Sequence, residues 1–436
     1  MRFPEMSQNL SRTSVKDLEK NRLLGIIEGS AARVIFNLTS GAFLVGFLKD
    51  MGASDAMCGY ILAIPVLAAV IQFLSPIILE SVPYRKKLIL AGVIFHRILL
   101  SAIIVIPLLP MGIEAKLWCT YMTFLISYLA FYFVNAAISN LYISFVPQNI
   151  RGSYFGKRES YILLTSTVVT LILGKILDRF NDSGNLLAGY MVTYAIVFIF
   201  TIVNNLSFFL MKEIPLDHST VPMKVSEIFT RPIKDRLFVK YFVMLIIWNV
   251  SSQIANAYFS VYLKSDLKLS YTVITLLSMV HSLVYIFCAR KWGRFADQKG
   301  WSATTMLTMG VLGICYLLWF FSSVGKAYII VLLTAAHILS GVAWAGINIA
   351  LFNMQFDYTP DEKRTVYIGF SSAASGAIGY MAAVLGSGLV GSFGSKKIVL
   401  LGSLFNIKQI LFLVSALLLL ACSLYIKFFM KPVKSI

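Results

Sequence analysis

Charged residues are scarce in this chain of 436 residues: they make up 13% of the sequence, whereas hydrophobic residues make up 58%. Globular domains carry about 25% charged residues, so this chain has too few to cover a folded surface in water. We therefore expect lipid to surround most of the chain. The composition excludes a disordered protein and a cytosolic enzyme.

Cysteine and enzyme motifs are equally sparse. The five cysteines are an odd number, lie far apart within apolar segments and lack metal-ligand spacing, so we expect free thiols that serve as packing residues and no metal site. The sequence contains no Gly-x-x-x-x-Gly-Lys-Ser/Thr loop, no His-Glu-x-x-His and no Gly-x-Ser-x-Gly. We therefore expect that the protein is not an enzyme, has no catalytic residues and binds no resident cofactor.

Long apolar runs account for most of the sequence. Each is long enough for a membrane-spanning helix, and none alternates as an outer-membrane strand does. The chain is therefore predicted to be an all-α membrane protein with twelve transmembrane helices, and its polar start to be no cleavable signal peptide. The predicted runs are residues 27–48, 55–80, 87–110, 116–146, 158–178, 187–211, 241–263, 271–291, 301–322, 327–356, 366–392 and 408–430.

The basic residues indicate the orientation. Most of the 38 lysines and arginines fall in loops on the side of the amino terminus, and such loops are cytoplasmic by the positive-inside rule. We expect a multi-pass protein of the cell (inner) membrane with both termini in the cytoplasm. This topology explains the net charge of +18, so no nucleic-acid partner is expected and lipid is the surrounding partner.

A polar, proline-containing segment divides the chain into halves. It is read as a linker because six apolar runs precede it and six follow. The predicted organisation is a cytoplasmic amino-terminal tail (1–26), a six-helix bundle (27–211), a cytoplasmic linker (212–240), a second six-helix bundle (241–430) and a cytoplasmic tail (431–436).

The two halves share residues at one constant offset. Parallel six-helix repeats with a site at their interface are one known way to build a secondary transporter. The repeated residues are Asn135, Asn140, Pro147, Arg151, Tyr154 and Gly156 in the first half, and Asn348, Asn353, Pro360, Arg364, Tyr367 and Gly369 in the second.

The sequence resembles the major facilitator superfamily over essentially the whole chain. The resemblance depends on the twelve spans, the linker between the halves, the repeated residues and the loop from Gly293 to Gly300. That loop matches the family's signature of Gly, three residues, Asp and then Gly among basic residues, with Asp297 as the acid. The first-half copy, Pro76–Lys86, is degenerate and has Glu80 in place of the acid. The resemblance implies two six-helix repeats, transport by alternating access and a monomer.

The signature loops are expected to form a gate. An acid just past a helix end can satisfy the free amide hydrogens of a neighbouring helix start, and nearby arginines offer it two-pronged partners. The alternative is that the basic residues only set topology. The gate candidates are Glu80, Arg85, Arg151, Gly293, Asp297, Gly300 and Arg364.

Polar stripes at helical spacing run along the first, fourth, seventh and tenth predicted spans. In the family that the chain resembles, these four helices line the cavity. The alternative is that each Asn only bonds a neighbouring helix. The substrate-cavity candidates are Arg33, Asn37, Tyr132, Asn135, Asn249, Gln253, Asn256, His337, Trp344 and Asn348.

A few ionisable residues fall inside the spans, where a charge costs at least about 2.5 kcal/mol. Glu28 and His337 are the candidates for proton coupling, His337 because imidazole titrates near neutral pH. Arg33 is the strongest candidate for touching substrate, because its guanidinium grips anions through a fork of donors. Arg97 is better explained as a structural pair with another helix. Glu28 and Arg33 are five residues apart, so they do not share a helix face.

The sequence thus predicts a secondary transporter of a small solute that is coupled to protons. Two arginines and one acid within the spans favour an anionic or neutral polar substrate. Two alternatives stay open. A drug or metabolite efflux antiporter is one, although the family's Gly-Pro signature is absent from residues 161–178. The other is a non-transporting membrane sensor or assembly factor with the same fold.

Overall fold

The protein is almost entirely helical. The computed structural model describes residues 15–73, 85–147, 150–213, 232–323, 328–359, 364–394, 396–400 and 403–430. In these ranges, eleven helices are long and apolar enough to cross a membrane, or twelve when one bent pair is counted as a single span. The predicted all-α class with twelve spans is confirmed.

The helices are numbered in chain order. They are α1 (Val15–Leu38), α2 (Gly41–Asp50), α3 (Asp55–Ala68), α4 (Lys86–Ala102), α5 (Ile113–Phe145), α6 (Arg151–Asp182), α7 (Leu186–Leu210), α8 (Arg236–Gln253), α9 (Asn256–Val261), α10 (Tyr271–Lys299), α11 (Trp301–Phe321), α12 (Ile329–Asp357), α13 (Arg364–Phe393) and α14 (Ile407–Phe429). A hairpin of β1 (Lys397–Leu400) and β2 (Ser403–Asn406) precedes α14, with Lys397 opposite Asn406.

The first span begins earlier than its apolar run. Helix α1 starts at Val15 and so includes part of the segment predicted to be a tail. Asn21 anchors this part, because its side chain bonds both the carbonyl and the amide of Lys212, at 2.8 and 2.9 Å. Helices α1 and α2 meet at 41°, where Gly41 has a positive φ of 53° that glycine adopts at little cost.

The signature segment is helical rather than a loop, which corrects the prediction for residues 293–299. Helix α10 continues to Lys299, and only Gly300 connects it to α11. Gly300 has a φ of +84°, and its amide bonds the Ala296 carbonyl at 2.8 Å. A glycine in this conformation ends a helix without the clash that a Cβ would cause.

The chain divides into two compact units. Unit 1 comprises residues 1–52 and 71–223, and unit 2 comprises residues 53–70 and 224–436. In unit 1, α1 packs on α6 and α7, and α4 packs on α5 and α7. In unit 2, α11 packs on α12 and α14, α10 packs on α12, and α8 packs on α13 and α14. Helix α3 packs on α13. The predicted bundle boundaries, 27–211 and 241–430, stay a prediction.

Candidate functional site

A buried carboxylate lies where four helices of unit 1 meet. Glu28 on α1 is only 5% exposed. Tyr142 on α5 donates a hydrogen bond to its Oε2 atom, Asn204 on α7 donates to Oε1 at 3.0 Å, and Arg158 on α6 places Nη2 3.4 Å from Oε2. A buried charge is tolerated only when it is paired and hydrogen-bonded, and Glu28 meets both conditions.

Two glycines on α1 make room for this cluster. A Cβ at Gly29 would lie 2.5 Å from Arg158 Nη2, and a Cβ at Gly25 would lie 2.6 Å from the Tyr154 hydroxyl. The Gly25 carbonyl accepts a hydrogen bond from Arg158 Nε at 3.0 Å. The small residues on either side of Glu28 therefore let the guanidinium lie directly against the backbone of α1.

A second guanidinium lies buried in the same unit. Arg97 on α4 is 6% exposed, and its Cζ atom is 5.7 Å from the centre of the Phe131 ring. Glu28 is an electrostatic partner of Arg97. Within the described part of the chain, Arg97 Nε has no hydrogen-bond partner. Among its described residues, the interior of unit 1 thus holds two guanidiniums, Arg97 and Arg158, for one buried carboxylate.

Arg33 belongs to a more open polar face of α1 and α6. Its side chain is 49% exposed, and Nη2 is 3.9 Å from Oε2 of Glu159. One turn further along α1, Asn37 Nδ2 donates to Thr170 Oγ1 at 3.4 Å. Arg33 and Glu28 have different acidic and basic partners, in agreement with their separate helix faces. The predicted residues on α5 are half-buried: Tyr132 packs on the Phe131 ring, and the Asn135 carbonyl accepts a hydrogen bond from Ser139.

The predicted residues on α8 and α9 share one stripe despite the helix break between them. Asn249 is buried, and its Nδ2 atom donates to the Leu245 carbonyl at 2.7 Å and to Ser375 Oγ on α13 at 3.2 Å. Asn256 donates to Gln253 Oε1 at 3.3 Å.

The predicted residues on α12 lie among aromatic rings of unit 2. His337 Nδ1 is 2.8 Å from the Leu333 carbonyl, and its ring centre is 5.6 Å from that of Trp319. The Trp344 ring packs against Trp248 at 5.7 Å. Asn348 is exposed and donates to the Tyr285 hydroxyl at 3.4 Å.

Several partners in these contacts were missed by sequence reasoning. Glu159, Arg158 and Ser375 each form a contact with a predicted residue. Arg158 and Glu159 stand at the start of an apolar run, where charges ordinarily mark a helix end. Ser375 lies in a helix full of small residues, which gives no signal of a particular partner.

Comparisons with known proteins agree with this architecture. Residues 237–435 match the family model described as Major Facilitator Superfamily. The matched segment of 199 residues, just under half of the chain, is similar in sequence to that superfamily. Solved structures of transporters share its fold. No curated protein matches the chain by sequence.

Solved structures with the same fold match nearly the whole chain. The nucleoside transporter NupG is 14% identical, with a TM-score of 0.69 over 95% of this chain and 99% of that one. The D-xylose-proton symporter is 14% identical, with a TM-score of 0.66 over 96% and 98%. A POT family transporter in complex with 5-aminolevulinic acid is 12% identical, with a TM-score of 0.65 over 95% and 96%. At such identities, the likeness describes the fold.

The structure describes only part of the predicted gate. Asp297 is exposed on α10, Gly293 lies two turns before the end of that helix, and Arg85 is half-buried directly before α4. Glu80 lies outside the described residues, as do the side chains of Arg151 and Arg364. The role of these residues as a gate stays a prediction.

Proposed function

We propose that this protein is a secondary active transporter that moves a small anionic or neutral polar solute across the cell (inner) membrane by alternating access, coupled to protons. The observation that carries the proposal is the buried carboxylate of Glu28, held by Tyr142, Asn204 and Arg158. An ionisable residue inside a membrane span is costly and marks a functional site by default.

Glu28 is the proposed proton carrier, because its partners can adjust to its neutral form. Arg158 has a second carboxylate within reach, since its Nη1 atom is 3.4 Å from Oε1 of Glu159. Protonation of Glu28 would weaken its hold on Arg158 and leave Arg158 with Glu159 on its own helix. Asn204 Oδ1 has no hydrogen-bond partner within the described part of the chain. A half-turn of that amide would offer this oxygen to protonated Glu28.

The exchange of partners by Arg158 would couple the proton to helix packing. With Glu28 charged, Arg158 bridges α1 and α6. With Glu28 neutral, the bridge loses its charge pair. A proton on Glu28 would thus change the relative stability of two arrangements of the same helices, which is what a coupling ion must do. His337 is the second coupling candidate, and one of its ring nitrogens is already engaged with a backbone carbonyl.

The charge balance supports the proposed substrate class. Unit 1 carries Arg33, Arg97 and Arg158 against Glu28 and Glu159 in these contacts. One positive charge is left over, which favours an anionic solute and disfavours a cation. Arg33 would bind it, because this guanidinium is half exposed and its ion pair with Glu159 is long, at 3.9 Å. We propose that the remaining cavity candidates, on α5, α8, α9 and α12, also contact the bound solute.

The topology completes the proposal. Both termini would face the cytoplasm by the positive-inside rule, the protein would act as a monomer, and its partners would be the solute, protons and membrane lipid.

Transport by the purified protein in liposomes tests the proposal. A screen of solutes by thermal shift comes first, because a ligand that binds only the folded state raises the melting temperature. Uptake of each hit is then measured with and without an imposed proton gradient. Accumulation above equilibrium only with the gradient would support the proposal. A ligand that binds but never crosses would indicate a sensor, and accumulation that ignores the gradient would refute proton coupling.

The variant Glu28→Gln isolates the proton carrier. Gln is nearly isosteric and keeps an acceptor for Tyr142, but it cannot exchange a proton. We expect gradient-driven accumulation to fall at least about tenfold while exchange of labelled for unlabelled solute continues, since exchange needs no net proton movement. The comparison variant is His337→Asn. Because His337 is also a cavity candidate, its loss should lower accumulation and exchange together if Glu28 is the carrier, whereas lost accumulation with exchange intact would make His337 the carrier instead.

A further inference from the structure

Helix α3 is the second span of the chain, yet it packs within unit 2. The predicted bundle boundaries assign α3 to the first half, and the rest of unit 2, residues 224–436, lies in the second half of the sequence. Contacts between α3 and α9, α13 or α14 therefore join segments that the predicted boundaries place in opposite halves. In a transporter that alternates its access, such contacts must break once in every cycle.

A buried lysine ties these segments together. Lys408, in the first turn of α14, is 3% exposed. Its ammonium bonds Asp55, the first residue of α3, at 2.5 Å, and it also bonds Asp266, at the end of the π-helical turn that follows α9. Asn406 Nδ2 donates to Asp266 Oδ1 at 2.9 Å and so holds that carboxylate in place. Of the two acids, only Asp55 comes from the first half of the sequence.

The backbone of α3 is in close contact with the neighbouring helices. A Cβ at Gly59 would overlap the Tyr258 hydroxyl on α9 and Ser387 Oγ on α13. A Cβ at Gly376 on α13 would lie 2.8 Å from Val70, just past α3. Between Asp55 and Gly59, the Cys58 thiol is completely buried. The ion pairs thus close one end of a tightly packed surface.

We propose that Lys408 is a latch that holds α3 against α9 and α14 and keeps this end of the transporter closed, with Asp55 as the partner that it releases. Asp266 is the resident partner, since it stays in the same half as Lys408 and keeps the ammonium paired when Asp55 leaves. A buried ammonium left without any partner would be strongly unfavourable, so a second acid lets the latch open without that cost. With the termini in the cytoplasm, this end faces the outside. The inference rests on the proposed alternating access.

Cys58 provides a native reporter for the latch. In a chain whose other four cysteines are replaced by serine, a membrane-impermeant maleimide added from outside reacts with Cys58 only when α3 has moved away. The variant Asp55→Asn removes one charge and leaves Lys408 paired with Asp266, so the protein is expected to fold. We expect its labelling rate to rise at least about tenfold, since breaking a desolvated charge pair acts on the opening equilibrium.

The matched control is Asp266→Asn, which keeps the pair between Lys408 and Asp55. Its labelling rate should fall below that of the parent, because opening would then leave the Lys408 ammonium without any acid. The labelling rate of Lys397→Met, which removes an exposed charge from the nearby hairpin, should stay within about threefold of the parent. Equal labelling of Asp55→Asn and the parent would overturn the inference, as would an equal rise in both aspartate variants. If Asp55→Asn does not fold, Asp55→Ser replaces it, because the cap of α3 at Ser54 is left unchanged.

This readout is independent of transport. Labelling of Cys58 needs neither substrate nor a proton gradient, so the latch can be established in a protein whose transport assay fails. A protein with proton-driven uptake and unchanged Cys58 labelling would refute the latch alone.

Discussion

Arg158 reaches from α6 to α1, where its Nη2 atom lies 3.4 Å from the carboxylate of Glu28. The two residues are far apart in sequence, and each is largely buried. Their pairing fixes the contact between two spans of unit 1, because the same guanidinium also bonds the Gly25 carbonyl and lies 4.7 Å from the centre of the Tyr142 ring. A structural pair and a coupling pair make different predictions when one partner is removed.

Arg158→Met should destabilise the protein, because it removes the guanidinium that contacts the buried Glu28 carboxylate. Losing one partner of a buried pair costs about 3 to 5 kcal/mol. The double variant Glu28→Gln with Arg158→Met should recover part of that loss, since no buried carboxylate is then left without the guanidinium that contacts it. Melting temperatures in detergent measure both effects. Equal melting temperatures for the single and the double variant would show that Glu28 does not depend on Arg158.

Gly29→Ala should also lower the melting temperature. Its Cβ would meet Arg158 Nη2 at 2.5 Å and Ile162 Cδ1 at 2.6 Å, and overpacking of this kind costs about 1 to 3 kcal/mol. Gly156→Ala on α6 is the matched control, because nothing lies within 4 Å of its Cβ position and alanine is the better helix former. The control should be neutral or slightly stabilising. If both variants behave alike, the close approach at Gly29 has no energetic consequence.

Gly300→Ala tests the corrected end of α10. The φ of +84° at Gly300 is one that other residues rarely adopt, so we expect a loss of about 1 kcal/mol from the strain in the new side chain. Gly293→Ala, within the same helix and with nothing near its Cβ position, should cost nothing. A measurable loss at Gly293 and none at Gly300 would contradict the placement of the helix end.

The sequence was sufficient to predict the spans, because a charged share of 13% leaves most of the chain only lipid as a solvent. It also singled out Glu28 and Asn249, since polar groups inside apolar runs must find partners. It could not identify the partners themselves. Arg158 and Ser375 lie more than a hundred residues from the groups that they bond, and helical periodicity carries no information about which helix lies alongside.

The placement of α3 and the role of Lys408 were equally out of reach. Lys408 stands at the start of an apolar run, where a basic residue ordinarily marks a membrane boundary. Its burial between Asp55 and Asp266 depends on three segments that only the tertiary fold brings together. Likewise, the predicted bundle boundaries assign α3 to the first half, whereas packing places it with unit 2.

Arg33→Lys tests the proposed substrate class. Lysine keeps the positive charge and the long ion pair with Glu159 but loses the fork of donors that grips a carboxylate or phosphate at two oxygens. We therefore expect binding of an anionic solute to weaken by about tenfold, the equivalent of one good hydrogen bond to a charged group. Binding of a neutral polar solute should change little. Thermal shift or calorimetry with one solute of each kind, drawn from the hits of the screen, gives the comparison. Equal losses for both solutes, or no loss for either, would show that Arg33 is only a structural partner of Glu159. Arg97 would then be the group of unit 1 whose positive charge attracts an anion.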